Sequence, residues 1–300
     1  MAFYTPLRYP GGKRKLIKFM KNLLEVNNLK GCHYIEPYAG GAGLALQLLF
    51  EEHASCIHIN DLNASIYSFW HAVLNNTDNF CRLVQDTPIT IGEWHRQKAI
   101  QSHAEDLSGS LELAFSTFFL NRTNRSGIIK GGVIGGKNQS GEWKLNARFQ
   151  KKNLINRIQR IANRRDQITL SRMDAVELLK TFKHKKDSEP YFFYLDPPYY
   201  EKGAGLYDNF YQPEDHAMLS NYIHKLKYPW IISYDNVPEV RKLYSNYRAI
   251  TYSLNYTAQI KEVGHEFMAF SNGLTLPNDI RQKESSFGCM RNVIAANHCN

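Results

Sequence analysis

Residues 191–195 read Tyr-Phe-Phe-Tyr-Leu and run straight into Asp196-Pro197-Pro198-Tyr199. An apolar, β-prone run without polar alternation needs cover on both faces, the condition of a central strand in a parallel sheet flanked by helices. The rest of the chain supplies the parts for such a sheet. His33-Tyr34-Ile35 has strand character, the glycine-rich residues 39–43 break it, and residues 44–51 resume as a helix. Residues 56–59 form a second short strand that ends at Asn60-Asp61. Strand, turn, helix, strand is the opening of a doubly wound α/β fold. Further strands are predicted over 168–171 and 230–233, helices over 15–26 and 175–181, and an antiparallel pair over 247–256 with 266–270.

Between these parts, residues 63–120 read as mostly helical, with Pro88 and Gly109 as breaks. A glycine-rich stretch follows, longer than an ordinary connection. The chain of 300 residues suits one large domain (1–62 and 166–276) with a smaller, mainly helical insertion (63–165). Residues 277–300 are polar and patternless, and a weakly ordered tail is expected there.

Charge singles out the insertion. Residues 122–165 carry twelve Lys and Arg against Glu142 alone, a net +11, whereas the whole chain nets +9. The entire excess therefore sits in one segment, the electrostatic footprint of a polyanion partner. Two kinds of contact are expected within it. The helix holding Leu154, Ile158 and Ile161 carries Arg157, Arg160 and Arg164 on its other face, which suits phosphates or is a plain solvated face. The irregular loop, with Arg122, Asn124, Arg125, Lys137 and Asn138, can follow a groove and offer Arg and Asn to base edges. No apolar run is long enough to span a membrane and no signal-peptide layout opens the chain, so a cytoplasmic location is expected. Five scattered cysteines suggest neither a disulfide framework nor a metal site.

The glycine turn and the tetrapeptide carry the chemistry. Gly40 and Asp61 have the spacing of a turn that a cofactor approaches and an acid that grips ribose hydroxyls, although Asp61 also reads as a helix N-cap. Glu36-Pro37 places a carboxylate where a phosphate would be repelled, so the cation S-adenosylmethionine (SAM) fits better than NAD. In Asp196-Pro197-Pro198-Tyr199 two prolines contribute no N–H and hold the chain extended, which leaves acceptors pointing outward. The Asp196 carboxylate and the Pro197 carbonyl could together accept both hydrogens of an exocyclic amine, with Tyr199 as a face on which a base can stack.

In this order, the segments 7–13, 35–43, Asn60-Asp61, 120–122, Asp196-Pro197-Pro198-Tyr199 and Ile232-Ser233-Tyr234 resemble the Dam-like DNA adenine N6-methyltransferases, over about residues 5–272. The resemblance implies a Rossmann-like methyltransferase domain, SAM as methyl donor, double-stranded DNA as substrate and an inserted target-recognition domain. It implies catalytic roles for Asp196, Pro197, Pro198 and Tyr199. It further implies SAM contacts from Tyr9, Lys13, Glu36, Pro37, Gly40, Asp61, Asp174 and Asp196. Asp166 and Asp174 flank the same strand, and Asp174 is equally well read as a helix N-cap. Amino methylation of cytosine is the nearest alternative, but that group usually has Ser at the position of Asp196. The recognition loop matches little beyond Asn121-Arg122, so no target sequence follows. A monomer or weak dimer is expected, and a cognate restriction endonuclease is a partner such enzymes can have.

Overall fold

The computed structural model describes residues 4–8, 16–182, 190–201, 211–255, 263–277 and 291–293. Its strands are β1 (Cys32–Glu36), β2 (Ala54–Asn60), β3 (Ile168–Ser171), β4 (Tyr191–Leu195), β5 (Trp230–Asp235), β6 (Arg248–Asn255), β7 (Val263–Phe270) and β8 (Arg291–Val293). The helices are α1 (Ile17–Val26), α2 (Gly43–Phe50), α3 (Ala64–Asn75), α4 (Thr77–Asp86), α5 (Ile91–Gln101), α6 (Leu111–Thr123), α7 (Lys151–Ala162), α8 (Ala175–Phe182), α9 (Pro213–Ile223) and α10 (Pro238–Leu243). The strands form one sheet of order β3-β2-β1-β4-β5-β7-β6-β8. β3 to β5 run parallel, and β7, β6 and β8 complete the sheet antiparallel. It is the mostly parallel Rossmann-like sheet expected.

β4 lies at the centre, and all five of its residues are buried. Alternate side chains serve opposite faces, as the period-two pleat requires. Phe192 and Tyr194 join the apolar cluster of α1 and α2, with Met20 and Leu46. Tyr191, Phe193 and Leu195 join the cluster of α8, α9 and α10, with Leu178, Leu219 and Val240. This double burial is why the run shows no alternation in sequence.

The helices α3 to α7 do not build a core apart from the sheet. Phe69, Phe80, Phe118, Phe149 and Ile158 belong to the same cluster as Leu46, Ile57 and Phe192. The N-terminal segment is tied to this region by Asn121. Its side chain accepts from the Arg8 N–H at 2.7 Å and donates to the carbonyls of Arg8 and Gly127 at 2.7 and 2.8 Å. Gly127 has φ +79°, and a Cβ there would lie 2.3 Å from the Arg8 carbonyl oxygen. Only glycine allows that close approach. Within residues 277–300, where a weakly ordered tail is expected, Arg291–Val293 pairs with Thr251, Ile250 and Ala249 as an edge strand.

Candidate active site

The sheet order reverses between β1 and β4, because the chain moves outward from β1 to β2 and β3 and returns on the other side at β4. A crevice outside the carboxyl ends of the strands is the usual ligand position at such a switch point. Glu36 ends β1 and Asp196 follows β4, so both stand at this crevice.

On the β1 side, the turn after Glu36 is held from three directions. Gly40 (φ 48°) and Ala42 (φ 45°) are left-handed. The Gly40 N–H donates to Asp61 Oδ2 at 2.8 Å, and the Gly40 carbonyl accepts from buried Trp70 Nε1 at 2.9 Å. The Ala39 N–H reaches the Asn60 carbonyl at 2.9 Å. Asn60, 1% exposed, uses its full capacity of two donors and two acceptor sites. It donates to the carbonyls of Pro37 and Met173, both at 2.9 Å, and accepts from Ser171 Oγ at 2.7 Å and Met173 N–H at 3.0 Å. The ends of β1, β2 and β3 are thereby joined by one side chain whose role the sequence did not reveal.

Asp61 also accepts from the Asn63 N–H at 3.0 Å. The N-cap of α3 is Asn63, whose side chain accepts from Ser65 and Ile66, so the cap alternative for Asp61 does not hold. Burial pushes the Asp61 carboxyl up to about 6 against the pull of its two N–H donors. Glu36 accepts from Tyr34 Oη at 3.0 Å. Burial, opposed by that bond and reinforced by the charge of Asp196, pushes the Glu36 carboxyl up to about 8. Asp174 caps α8, its Oδ1 accepting from Val176 and Glu177 at 2.8 and 3.3 Å.

On the β4 side, the parallel register Leu195↔Ile232 brings Asp196 beside Ser233. Ser233 Oγ donates to Asp196 Oδ1 at 2.7 Å, and Tyr194 Oη lies 2.8 Å from Ser233 Oγ. With the serine proton committed to Asp196, the Tyr194 hydroxyl donates to Ser233, and this buried chain of hydroxyls orients the carboxylate. Pro197 and Pro198 are buried, and Tyr199 is partly so. Its hydroxyl donates to Glu266 Oε1 at 2.5 Å. The backbone N–H groups of Tyr200 and Glu201 donate to Asp235 at 2.8 and 3.0 Å. Tyr38, Tyr211 and Tyr234 pack with the cluster of α8, α9 and α10. Tyr38 and Tyr211 share a hydroxyl hydrogen bond of 2.8 Å, and His216 Nδ1 meets Tyr234 Oη at 2.9 Å.

Several expected residues lie elsewhere or are used differently. Tyr9 and Lys13 lie outside the described residues. Asn124 is not available to a base edge. It is 0% exposed, accepts from Trp94 Nε1 at 2.7 Å and donates to the carbonyls of Ile128 and Ile129. Arg122 is also turned inward, onto the carbonyls of Arg148 and Pro6. Burial, with Arg8, Arg157 and Arg148 nearby, pushes its guanidinium down to about 9, and its hydrogen bonds tie residue 148 and the N-terminal segment to α6. Arg125, Lys137 and Asn138 are exposed. Arg160 on α7 lies over the rings of Tyr4 and Phe50 at 5.5 and 5.2 Å, and Arg164, just past the end of α7, over Phe50 at 5.9 Å. Those two rings stack at 4.9 Å, so this arginine face rests on an aromatic shelf.

The sequence pattern of the D12 class N6 adenine-specific DNA methyltransferases matches residues 9–260. Among curated proteins none matches the chain. Among solved structures, a protein of Haemophilus influenzae described as a methylase is similar at 10% identity, with a TM-score of 0.35, over 85% of this chain and 96% of that one. A SAM-dependent methyltransferase from Agrobacterium tumefaciens is similar at 8% identity, with a TM-score of 0.38, over 85% of this chain and 61% of that one.

Proposed function

The chain belongs to the D12 class of N6 adenine-specific DNA methyltransferases, and we propose that it methylates an adenine extruded from double-stranded DNA into the crevice between Asp196 and Tyr199. Transfer of a methyl group from SAM to the adenine amino nitrogen is the reaction of that family. The observation that carries the placement is the Tyr194–Ser233–Asp196 hydroxyl chain, which orients an acceptor beside the cradle of Glu36, Gly40 and Asp61.

The amino lone pair of adenine is delocalised into its ring, so the nitrogen is a poor nucleophile until its hydrogens are held out of the ring plane. In this reading Asp196 takes one hydrogen and the Pro197 carbonyl the other, and Tyr199 stacks on the extruded base. The site contributes position and charge, which are worth most where the groups are set before the reaction. The cradle fits SAM: two acids at a turn that the main chain leaves open to close approach suit a sulfonium and an ammonium and repel a pyrophosphate. When bound, SAM supplies the methyl group on a sulfonium that leaves as a neutral thioether. Calorimetry should show binding of SAM and none of NAD; the reverse would overturn the reading of the cradle.

Glu36 makes SAM binding depend on pH. With its carboxyl at about 8, the neutral form prevails at pH 7, and a cationic ligand must favour loss of that proton. SAM affinity is therefore expected to rise as pH increases towards about 8, and binding near pH 7 to release protons. Calorimetry in buffers of different ionisation heat reads this directly. Proton uptake, or the same proton release in Glu36→Gln, would contradict it.

For DNA we propose that residues 63–165 form the recognition region, with Arg125, Lys137 and Asn138 towards bases and Arg160 and Arg164 on phosphates. Arg160→Ala with Arg164→Ala is expected to weaken binding to all sequences alike and to flatten the salt dependence by roughly one unit per lost contact. Arg125→Ala should instead cost about 1–3 kcal/mol on the cognate duplex only. Titrations of cognate and scrambled duplexes at several salt concentrations separate the two. A uniform loss for Arg125→Ala would move that residue to the phosphate group, and no loss for the Arg160 and Arg164 pair would leave a solvated face.

A further inference from the structure

We propose that Glu266 is a positioning residue for the reaction, acting through the Tyr199 hydroxyl to hold the ring on which the target base stacks; this rests on the function proposed above. Glu266 is an acid in the otherwise apolar inner part of β7, and it is 2% exposed. A buried carboxylate is costly unless donors meet its oxygens. Tyr199 Oη donates to Oε1 at 2.5 Å and Tyr252 Oη to Oε2 at 3.1 Å. The strand register explains the arrangement. Asp235, Glu266 and Tyr252 are consecutive cross-strand partners on β5, β7 and β6, so their side chains stand in one row on one face. Within that row Glu266 takes the hydroxyl of Tyr199, while Asp235 takes the N–H groups of Tyr200 and Glu201. Two carboxylates on adjacent strands thus clamp the three residues that follow the prolines, one by a side chain and one by the backbone. The prolines give the chain no N–H with which to anchor itself here, so the clamp supplies what the tetrapeptide lacks. A core role alone would be met at lower cost by an apolar side chain on β7, such as those of its neighbours Phe267 and Met268.

The test compares Glu266→Leu, Glu266→Gln, Tyr199→Phe and the double variant Glu266→Gln with Tyr199→Phe, each with its Tm. Glu266→Leu and Tyr199→Phe are expected to lower kcat by about 10- to 100-fold through misplacement of the ring, with KM for SAM unchanged. Glu266→Gln keeps an acceptor for the phenol and should stay within about threefold of wild type. In a Tyr199→Phe background the glutamine should change nothing further, because the shared bond is already gone. A second readout places 2-aminopurine at the target adenine of the cognate duplex. Wild type is expected to extrude the probe and quench it by stacking on Tyr199, whereas Tyr199→Phe and Glu266→Leu should extrude it and leave it brighter. If Glu266→Leu does not fold, Tyr199→Phe and the glutamine pair still decide. Kcat within twofold of wild type for Tyr199→Phe, or independent losses in the double variant, would overturn the role of Glu266. No brightening of the probe in any variant, together with no methylation of DNA by wild type, would instead overturn the function proposed above.

Discussion

Asp196→Ala is expected to lower methyl transfer by about 100-fold or more, corresponding to roughly 3 kcal/mol of lost transition-state stabilisation. The carboxylate is oriented through Ser233 by Tyr194, so alanine removes both the proposed acceptor for the adenine amine and the end of the hydroxyl chain that holds it. The Ser233 hydroxyl is left with its proton pointing at the vacated position. DNA affinity should change little, because the proposed DNA contacts lie in residues 63–165. SAM affinity should fall modestly, since Asp196 stands beside Glu36 and contributes to the negative field of the cradle. Initial rates of radiolabelled methyl incorporation into DNA, with binding measured separately, check all three. Activity within tenfold of wild type would remove Asp196 from the reaction.

The second large effect is expected at a residue that does no chemistry. Asn60→Ala should destabilise the protein by about 3 kcal/mol or more, because it leaves buried groups of Pro37 and Met173 without partners and each such group costs about 1–3 kcal/mol. A Tm lowered by about 5 °C or more follows for a chain of this size. SAM affinity should fall with it, since Asn60 joins the turn after Glu36 to the ends of β2 and β3. Thermal unfolding monitored by circular dichroism, with and without SAM, reads both effects. A shift of less than about 3 °C would mean that water or a rearranged loop replaces the side chain without loss.

The parts legible in sequence were those with a local cause. The central strand could be read because burial on both faces leaves an unbroken apolar run, and the prolines after it announce its end. The Gly40 turn and its acid were legible by spacing, and the bond between Asp61 and the Gly40 N–H accounts for that spacing. What stayed hidden depends on pairing between distant strands. Ser233 reaches Asp196 only because of the β4 to β5 register, and Glu266 reaches Tyr199 only because β7 returns antiparallel beside β5. Tyr199 was read as a bare aromatic face, and its hydroxyl acquires a purpose only with that return. Asn124 and Arg122 were misread for a related reason. In a basic, glycine-rich loop they look like groups for a ligand, but a loop of that length must satisfy its own carbonyls, and these two side chains do so.

The central claim is that this crevice methylates adenine at a defined DNA sequence through Asp196. Plasmid DNA free of modification, incubated with SAM and either wild type or Asp196→Ala and then sequenced by a method that reports methylated bases, tests it most directly. The account predicts N6-methyladenine at one recurring sequence with wild type and almost none with the variant under the same conditions. Methylation of cytosine, or equal adenine methylation by the variant, would contradict it.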